Sequence, residues 1–405
     1  MKRIQLTCMG LLLNATLLFC GIAYADDTLR PEIGKPMLAA QELVKAQKYK
    51  EALARIREAD AVPNHTPYES FIIDRMRAAA ASGAGDTETA AKSFEAVINS
   101  GKLSSADHLK MIEALAGTYY RAKDYPRAIS WIQAYMKNGG ADPQMRLLLV
   151  QSMYLGGNAA AASRELAPMI AAEERAGNIP AENMLLLQSS CQQKANDAAG
   201  YLDTLERLVK YYPKTEYWAD IIGRVQSKPG FSDRLLLDVY RLQHASGNLK
   251  DGNAYVEFAQ LAIQEGFPSE AKKIVSEGFD KKLLGVGSDA QRHNRLRDLA
   301  NRLAAEDRAA LDKKDKMVEK DASLLVNNGY AYVTCGEVEK GIALIEKGVG
   351  KGGLKRPDDA TLHLGLAYLQ AGNKARATQV LRTSSHGGGG VGDIARLWML
   401  LAHLE

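Results

Sequence analysis

Small residues recur along this chain at a spacing that few folds can use. Ala52, Ala90, Ala128, Ala162, Ala271, Gly341 and Ala377 each fall early in a segment of helical periodicity, in steps of 38, 38, 34, 109, 70 and 36 residues. The two long steps are about three and about two periods, so degenerate units are expected in the gaps. Helices approach closely only where a side chain is short, which makes a recurring small residue a packing requirement. The clearest unit is ALAGTYYRAKDYPRAISWIQAYMKNGGADP, from Ala114. Ile112, Leu115, Ala116 and Tyr119 share one helical face, Lys123-Asp124 turns the chain, and Ala128, Ile132 and Tyr135 share the face of a second helix. Hydrophobic residues reach 46% while aromatic ones are only 7%, a balance of Ala and Leu that suits helices rather than sheets.

Two later units, LLVNNGYAYVTCGEVEKGIALIEKG and LHLGLAYLQAGNKARATQVL, repeat the pattern, with Gly329 or Gly365 three residues before Tyr332 or Tyr368. Gly336 and Gly372 stop the first helix of each by taking the left-handed conformation open to glycine. LQSSCQQKANDAAGYLDTLERLVKYYP carries Tyr201 in the small-residue slot, and SDAQRHNRLRDLANRLAAEDRAAL fills the gap before Gly341. The expectation is an all-α, right-handed α-solenoid of about ten helical hairpins, each stacking on its neighbours to bury a shared core, plus a C-terminal capping helix. Its parts are read as residues 1–25, 26–212, a degenerate stretch 213–320, a well-matched pair 321–384, and a terminal segment 385–405. Softer joints are expected at Ser227-Lys228-Pro229-Gly230 and around Leu284 to Asp289.

The first 25 residues have the layout of a secretory signal: Lys2 and Arg3, the apolar LLLNATLLFCGIA, then Ala23-Tyr24-Ala25 as a cleavage site. A periplasmic or secreted protein with no membrane span after cleavage is expected. Cys191 and Cys335 would remain, several units apart and therefore separate thiols. With Lys2 and Arg3 removed, 50 basic residues face 48 acidic ones, which predicts no strong pull toward nucleic acid.

Motifs of chemistry are weak. SSHGGGGVGDIARLWMLLAHLE, residues 384–405, has a glycine run, but Asp393 stands where a phosphate loop needs lysine, and a helix precedes it in place of a strand. The glycines are read as a flexible tether, Asp393 as a helix cap, and Ile394, Leu397, Trp398 and Leu401 as the apolar stripe of a helix covering the end of the array. Gly285-Val286-Gly287-Ser288-Asp289-Ala290 lacks the strand a dinucleotide fingerprint requires. None of the seven histidines sits in a zinc or metalloprotease spacing, and no nucleophile elbow occurs. No catalytic residue, cofactor or metal is assigned.

The units resemble the tetratricopeptide repeat family, strongly at residues 109–140 and 321–384. The resemblance implies a non-catalytic scaffold that docks a protein or peptide on its solenoid surface. Its inward helix positions correspond here to Tyr120, Arg121, Gln260, Gln264, Asn327, Tyr330, His363 and Gln370, the candidate partner-binding residues. Glu113 and Gly117 occupy the places of the lysine and asparagine with which one subclass grips acidic C-termini. The stretches YYPKTEYWADIIGRVQSKPGFSDRLLLDVYRL and GGLKRPDDATLHLGLAYLQAGNKARA are similar to exported repeat proteins encoded with TonB–ExbB–ExbD-type systems of Gram-negative bacteria. That likeness implies a cell-envelope partner. The alternative is a cell-wall carbohydrate-binding protein or enzyme with its site in residues 213–320, where Tyr211, Tyr212, Tyr217 and Trp218 would form a sugar-stacking platform.

Overall fold

The structure, a computed structural model, describes residues 28–318 and 320–404. The segment read as a signal lies outside them. Among the described residues there are twenty α-helices, one 3-10 turn and no strand. The chain divides into two compact units, one ending at Ala172 and one beginning at Glu173.

The first unit runs α1 (Pro31–Lys45), α2 (Tyr49–Asp60), α3 (Pro67–Ala84), α4 (Thr87–Asn99), α5 (Ser105–Arg121), α6 (Tyr125–Lys137) and α7 (Pro143–Leu155), and ends within α8 (Ala159–Arg175). The second holds α9 (Glu182–Lys194), α10 (Ala198–Tyr211), α11 (Thr215–Gln226), a 3-10 turn Asp233–Leu235, α12 (Leu236–Ala245), α13 (Gly252–Gln264) and α14 (Pro268–Asp280). It continues with α15 (Ala290–Val318), α16 (Ala322–Cys335), α17 (Val338–Lys351), α18 (Pro357–Gln370), α19 (Lys374–Ser384) and α20 (Val391–Leu404). These make nine consecutive helix pairs, with the 29-residue α15 standing alone where a tenth pair was expected and α20 closing the chain.

A single turn chemistry builds eight of the nine pairs. The residue two before the second helix is left-handed in each: Gln47, Gly85, Lys123, Gly157, Asn196, Gly266, Gly336 and Gly372 all have positive φ. An aspartate or asparagine often follows and caps the next helix, as Asp86, Asp124, Asp197 and Asn373 do through their side-chain oxygens. The pair α11/α12 is the exception, joined by the longer segment 227–235.

The small residues sit where the periodicity put them. Ala52, Ala90, Ala128, Ala162, Ala271 and Ala377 are wholly buried. The tightest crossing is α16 on α17. A Cβ added at Gly341 would lie 2.6 Å from the Gly329 carbonyl oxygen and 2.5 Å from a Val333 methyl. Cys191 and Cys335 are free, and burial raises the Cys191 thiol to about 11. No described helix is long and apolar enough to cross a membrane.

The glycine run is not slack. Its carbonyl at Gly389 accepts a hydrogen bond from the Ser232 backbone N–H at 3.0 Å, on the open α11/α12 connection. Gly390, at φ +98°, leaves so little room that a Cβ would fall 2.4 Å from the Phe231 ring. Asp393 acts as an ion-pair partner in the first turn of α20, 2.9 Å from the Lys228 ammonium, where a carboxylate also suits the helix dipole. Arg396 reaches Glu206 on α10 at 3.3 Å. The joint expected at Ser227 to Gly230 is thus the seat of the C-terminal segment. The joint expected near Leu284 is pinned as well, with Leu284 buried and the Gly285 N–H donating to His293 Nδ1 at 3.1 Å.

Gly341→Ala should lower the unfolding free energy by about 1–3 kcal/mol, because overpacking against backbone outweighs the better helix propensity. Gly223→Ala, on α11 with nothing within 4 Å of the new methyl, should stabilise or leave stability unchanged. Urea titrations of both variants followed by circular dichroism check the contrast. Gly390→Ala should cost about 1–2 kcal/mol in the same titration, since alanine disfavours that backbone and the ring must move.

Candidate functional site

In the second unit the even-numbered helices meet one another. α20 touches α10, α12 and α18, while α16 touches both α14 and α18. The lone α15 makes this possible. With no partner helix of its own, it shifts the alternation, so the inner layer passes from second helices of pairs (α10, α12, α14) to first helices (α16, α18).

Several of these helices, with α13, border an open cavity of about 470 Å³. Arg241, His244 and Ala245 come from α12, Phe258 from α13, and Glu270, Lys273, Ile274 and Glu277 from one face of α14. Tyr330 and Thr334 come from α16, Leu366, Leu369 and Gln370 from α18, and Trp398 from α20. Ligand sites commonly have this size and this mixture of an apolar lining with a few polar groups.

One wall is a buried charge cluster. The Arg241 guanidinium donates to both Glu270 carboxylate oxygens, at 2.8 and 2.7 Å, and to Asp238 at 2.7 Å. It also lies 4.7 Å from the centre of the Tyr330 ring and 5.2 Å from that of Phe267. Tyr330 stacks on His363 at 4.6 Å and takes the Phe267 edge at 5.3 Å. His363 Nε2 stands 3.3 Å from Asp238, close enough for charge attraction but without hydrogen-bond alignment. Burial pushes the Asp238 carboxyl upward, yet His363 and Arg241 outweigh it and hold it at about 2. Burial, helped by Glu270 and Asp238, raises the Tyr330 phenol and overcomes the Arg241 charge.

Further along the same two helices the charges are balanced differently. Glu277 accepts from His244 at 2.7 Å and from Tyr255 at 2.8 Å, and pairs with Lys281 at 2.6 Å. Burial opposes these bonds, but together they hold Glu277 at about 2. Both carboxylates lining the pocket are therefore already held by donors. Three donors are not used. Lys273 has no ion pair among the described residues, the Trp398 indole N–H is buried without a partner, and the Tyr330 hydroxyl makes no hydrogen bond although the residue is only 5% exposed.

The residues expected to form a groove separate into groups. Tyr330 and Gln370 line the cavity, and His363 backs it through the ring stack. Gln260 and Gln264 are exposed on α13 and do not line the cavity, and Asn327 is exposed on α16. Tyr120 and Arg121 lie on α5 in the first unit, where Tyr120 donates to Gln151 at 3.1 Å. The Arg121 guanidinium has only hydroxyls nearby, Thr118 at 3.2 Å and Ser82 at 3.4 Å, and burial lowers its pKa. The aromatics expected as a sugar platform are packing groups. Trp218 and Tyr217 are buried, Tyr211 donates to Glu174, and Tyr212 donates to the Pro180 carbonyl. Lys273, Trp398 and Arg241 were not anticipated as site residues. The spacing of Glu270, Lys273, Ile274 and Glu277 marks a shared helix face, but nothing in sequence says that the face turns inward.

An array of helix pairs with buried small residues and left-handed turns is the architecture of helical-repeat proteins. Residues 75–145, spanning α3 to α7, match the family model of the tetratricopeptide repeat and are tetratricopeptide repeats. Among solved structures, similarity extends to Naa15/Naa10 bound to HypK-THB, at 14% identity and a TM-score of 0.34, over 88% of this chain and 58% of that one. Yeast Tom70 matches at 11% identity and a TM-score of 0.25, over 92% of this chain and 96% of that one. The maize pentatricopeptide repeat protein PPR10 matches at 12% identity and a TM-score of 0.32, over 92% and 62%. No curated protein matches.

The Asp238 carboxylate, depressed below the usual value of about 4, contributes stability that is present above pH ~4 and lost as pH falls toward 2. Asp238→Asn should lower stability at pH 7 by roughly 3 kcal/mol, since it leaves the buried Arg241 short of a counter-charge. The variant should also flatten the pH dependence between 4 and 2. Urea titrations at a series of pH values measure both effects.

Proposed function

We propose that this chain is a non-catalytic scaffold that docks a protein or peptide partner on its repeat surface. The tetratricopeptide repeats at 75–145 support a protein-interaction role. Arg121 carries the choice of surface. An exposed guanidinium with no carboxylate beside it, next to the tyrosine Tyr120, offers a charge-assisted donor to an acidic or carbonyl-rich partner.

The place of action in this reading is the periplasm, as a partner of a TonB-type energy-transducing system. It rests on the charged start, apolar middle and Ala23-Tyr24-Ala25 of the leader, and on the likeness of residues 211–242 and 352–377 to exported repeat proteins. Arg234 and Asp359, which lie in those two stretches, form a bidentate ion pair at 2.8 and 3.1 Å in the second unit.

Crosslinking in the intact envelope of the native host, with mass spectrometry of the adducts, tests the partner. Arg121→Glu should lower the yield of the main adduct at least tenfold, and an unchanged yield would remove this surface from consideration. N-terminal sequencing of the fractionated protein should begin at Asp26.

A further inference from the structure

We propose that the cavity of the second unit is a binding site for a small organic acid, a free monocarboxylate with an apolar body. This goes beyond docking of a partner protein and stands independently of it.

The selection for an anion follows from which polar groups are used. Both oxygens of Glu270 are held by Arg241, and Glu277 is held by His244, Tyr255 and Lys281. Each already faces donors supplied by the chain itself. Three donors that line the pocket make no bond among the described residues: the Lys273 ammonium, the Tyr330 hydroxyl and the Trp398 indole N–H. The Trp398 N–H is buried without a partner, which is costly, and a ligand that supplies an acceptor there relieves that cost. A carboxylate supplies up to four acceptor positions and cancels the one uncompensated lining charge. Phe258, Ile274, Leu366 and Leu369 provide the surface for the apolar body, and about 470 Å³ suits a compact molecule.

The donors arise on α14, α16 and α20, whose Cα positions are far apart in sequence, so the site exists only once the C-terminal helix is docked. None of the three donors occupies the positions at which part of the repeat family grips acidic chain ends; Glu113 and Gly117 stand there in this chain.

Titration calorimetry of the full-length mature chain with 4-phenylbutyrate, 4-phenylbutanamide and a tetrapeptide acid tests the assignment. The acid should bind, and the neutral amide should bind at least tenfold more weakly. Lys273→Met, an exposed position that leaves the fold intact, should weaken acid binding by about tenfold or more while leaving the amide unaffected. Trp398→Phe keeps an aromatic ring and removes the N–H, and should weaken the acid by several-fold with an unchanged melting temperature in the absence of ligand. Gln260→Ala, outside the cavity, should have no effect. Equal binding of acid and amide, indifference to Lys273→Met, or no heat from the acid at millimolar concentration would each overturn the proposal. Tighter binding of the tetrapeptide than of the free acid would assign the cavity to chain ends and overturn it too.

Discussion

The close approach of paired helices at alanine and glycine is the constraint on which everything else rests. Wherever the second helix of a pair presents Ala52, Ala90, Ala128 or Gly341, the first helix comes near enough for long side chains to cover both. Dispersion between many such atoms is the main enthalpic return, and it vanishes quickly if the helices separate. Tyr201 shows how the rule bends. A large ring in the small-residue slot is accommodated because Arg224 lies 3.8 Å from its centre and its hydroxyl reaches Asp220 at 2.7 Å.

A second regularity joins neighbours. Tyr119, Tyr332 and Tyr368 each carry a cation eight residues later over the ring, from Arg127, Lys340 and Arg376 respectively. Two of these hydroxyls also reach back to a glutamate on the preceding helix, Tyr119 to Glu95 and Tyr368 to Glu346. The tyrosine thus fills core volume with its ring and ties consecutive pairs with its oxygen. The spacing of eight takes its meaning from the turn that brings the second helix alongside the first.

The second unit departs from a simple open stack through two linked features. α15 occupies a step without a partner, and α20 returns to α10 and α12, more than 145 residues earlier. The connection between α11 and α12 lacks the tight left-handed turn of the other pairs, and its exposed backbone receives the glycine run. Ion pairs from Lys228 and Arg396 then hold the first turns of α20 in place. That return places Trp398 at the cavity beside Arg241 and Tyr330.

The helical class, the period, the turns at Gly336 and Gly372, and the apolar stripe of the last helix were legible in the residues alone, because they depend on interactions within some forty positions. A small residue early in a helix, or a glycine just past its end, has the same consequence wherever it occurs. Long-range pairing carried no such local mark. Asp393 read as a cap and is an ion-pair partner for Lys228, 165 positions away. The glycines read as a tether and form a seat, since only glycine fits against Phe231 at that backbone angle. Trp398 joined Lys273 and Tyr330 at one cavity through the same return of the chain, which periodicity cannot encode because it specifies which face of a helix is apolar but not which distant helix will cover it.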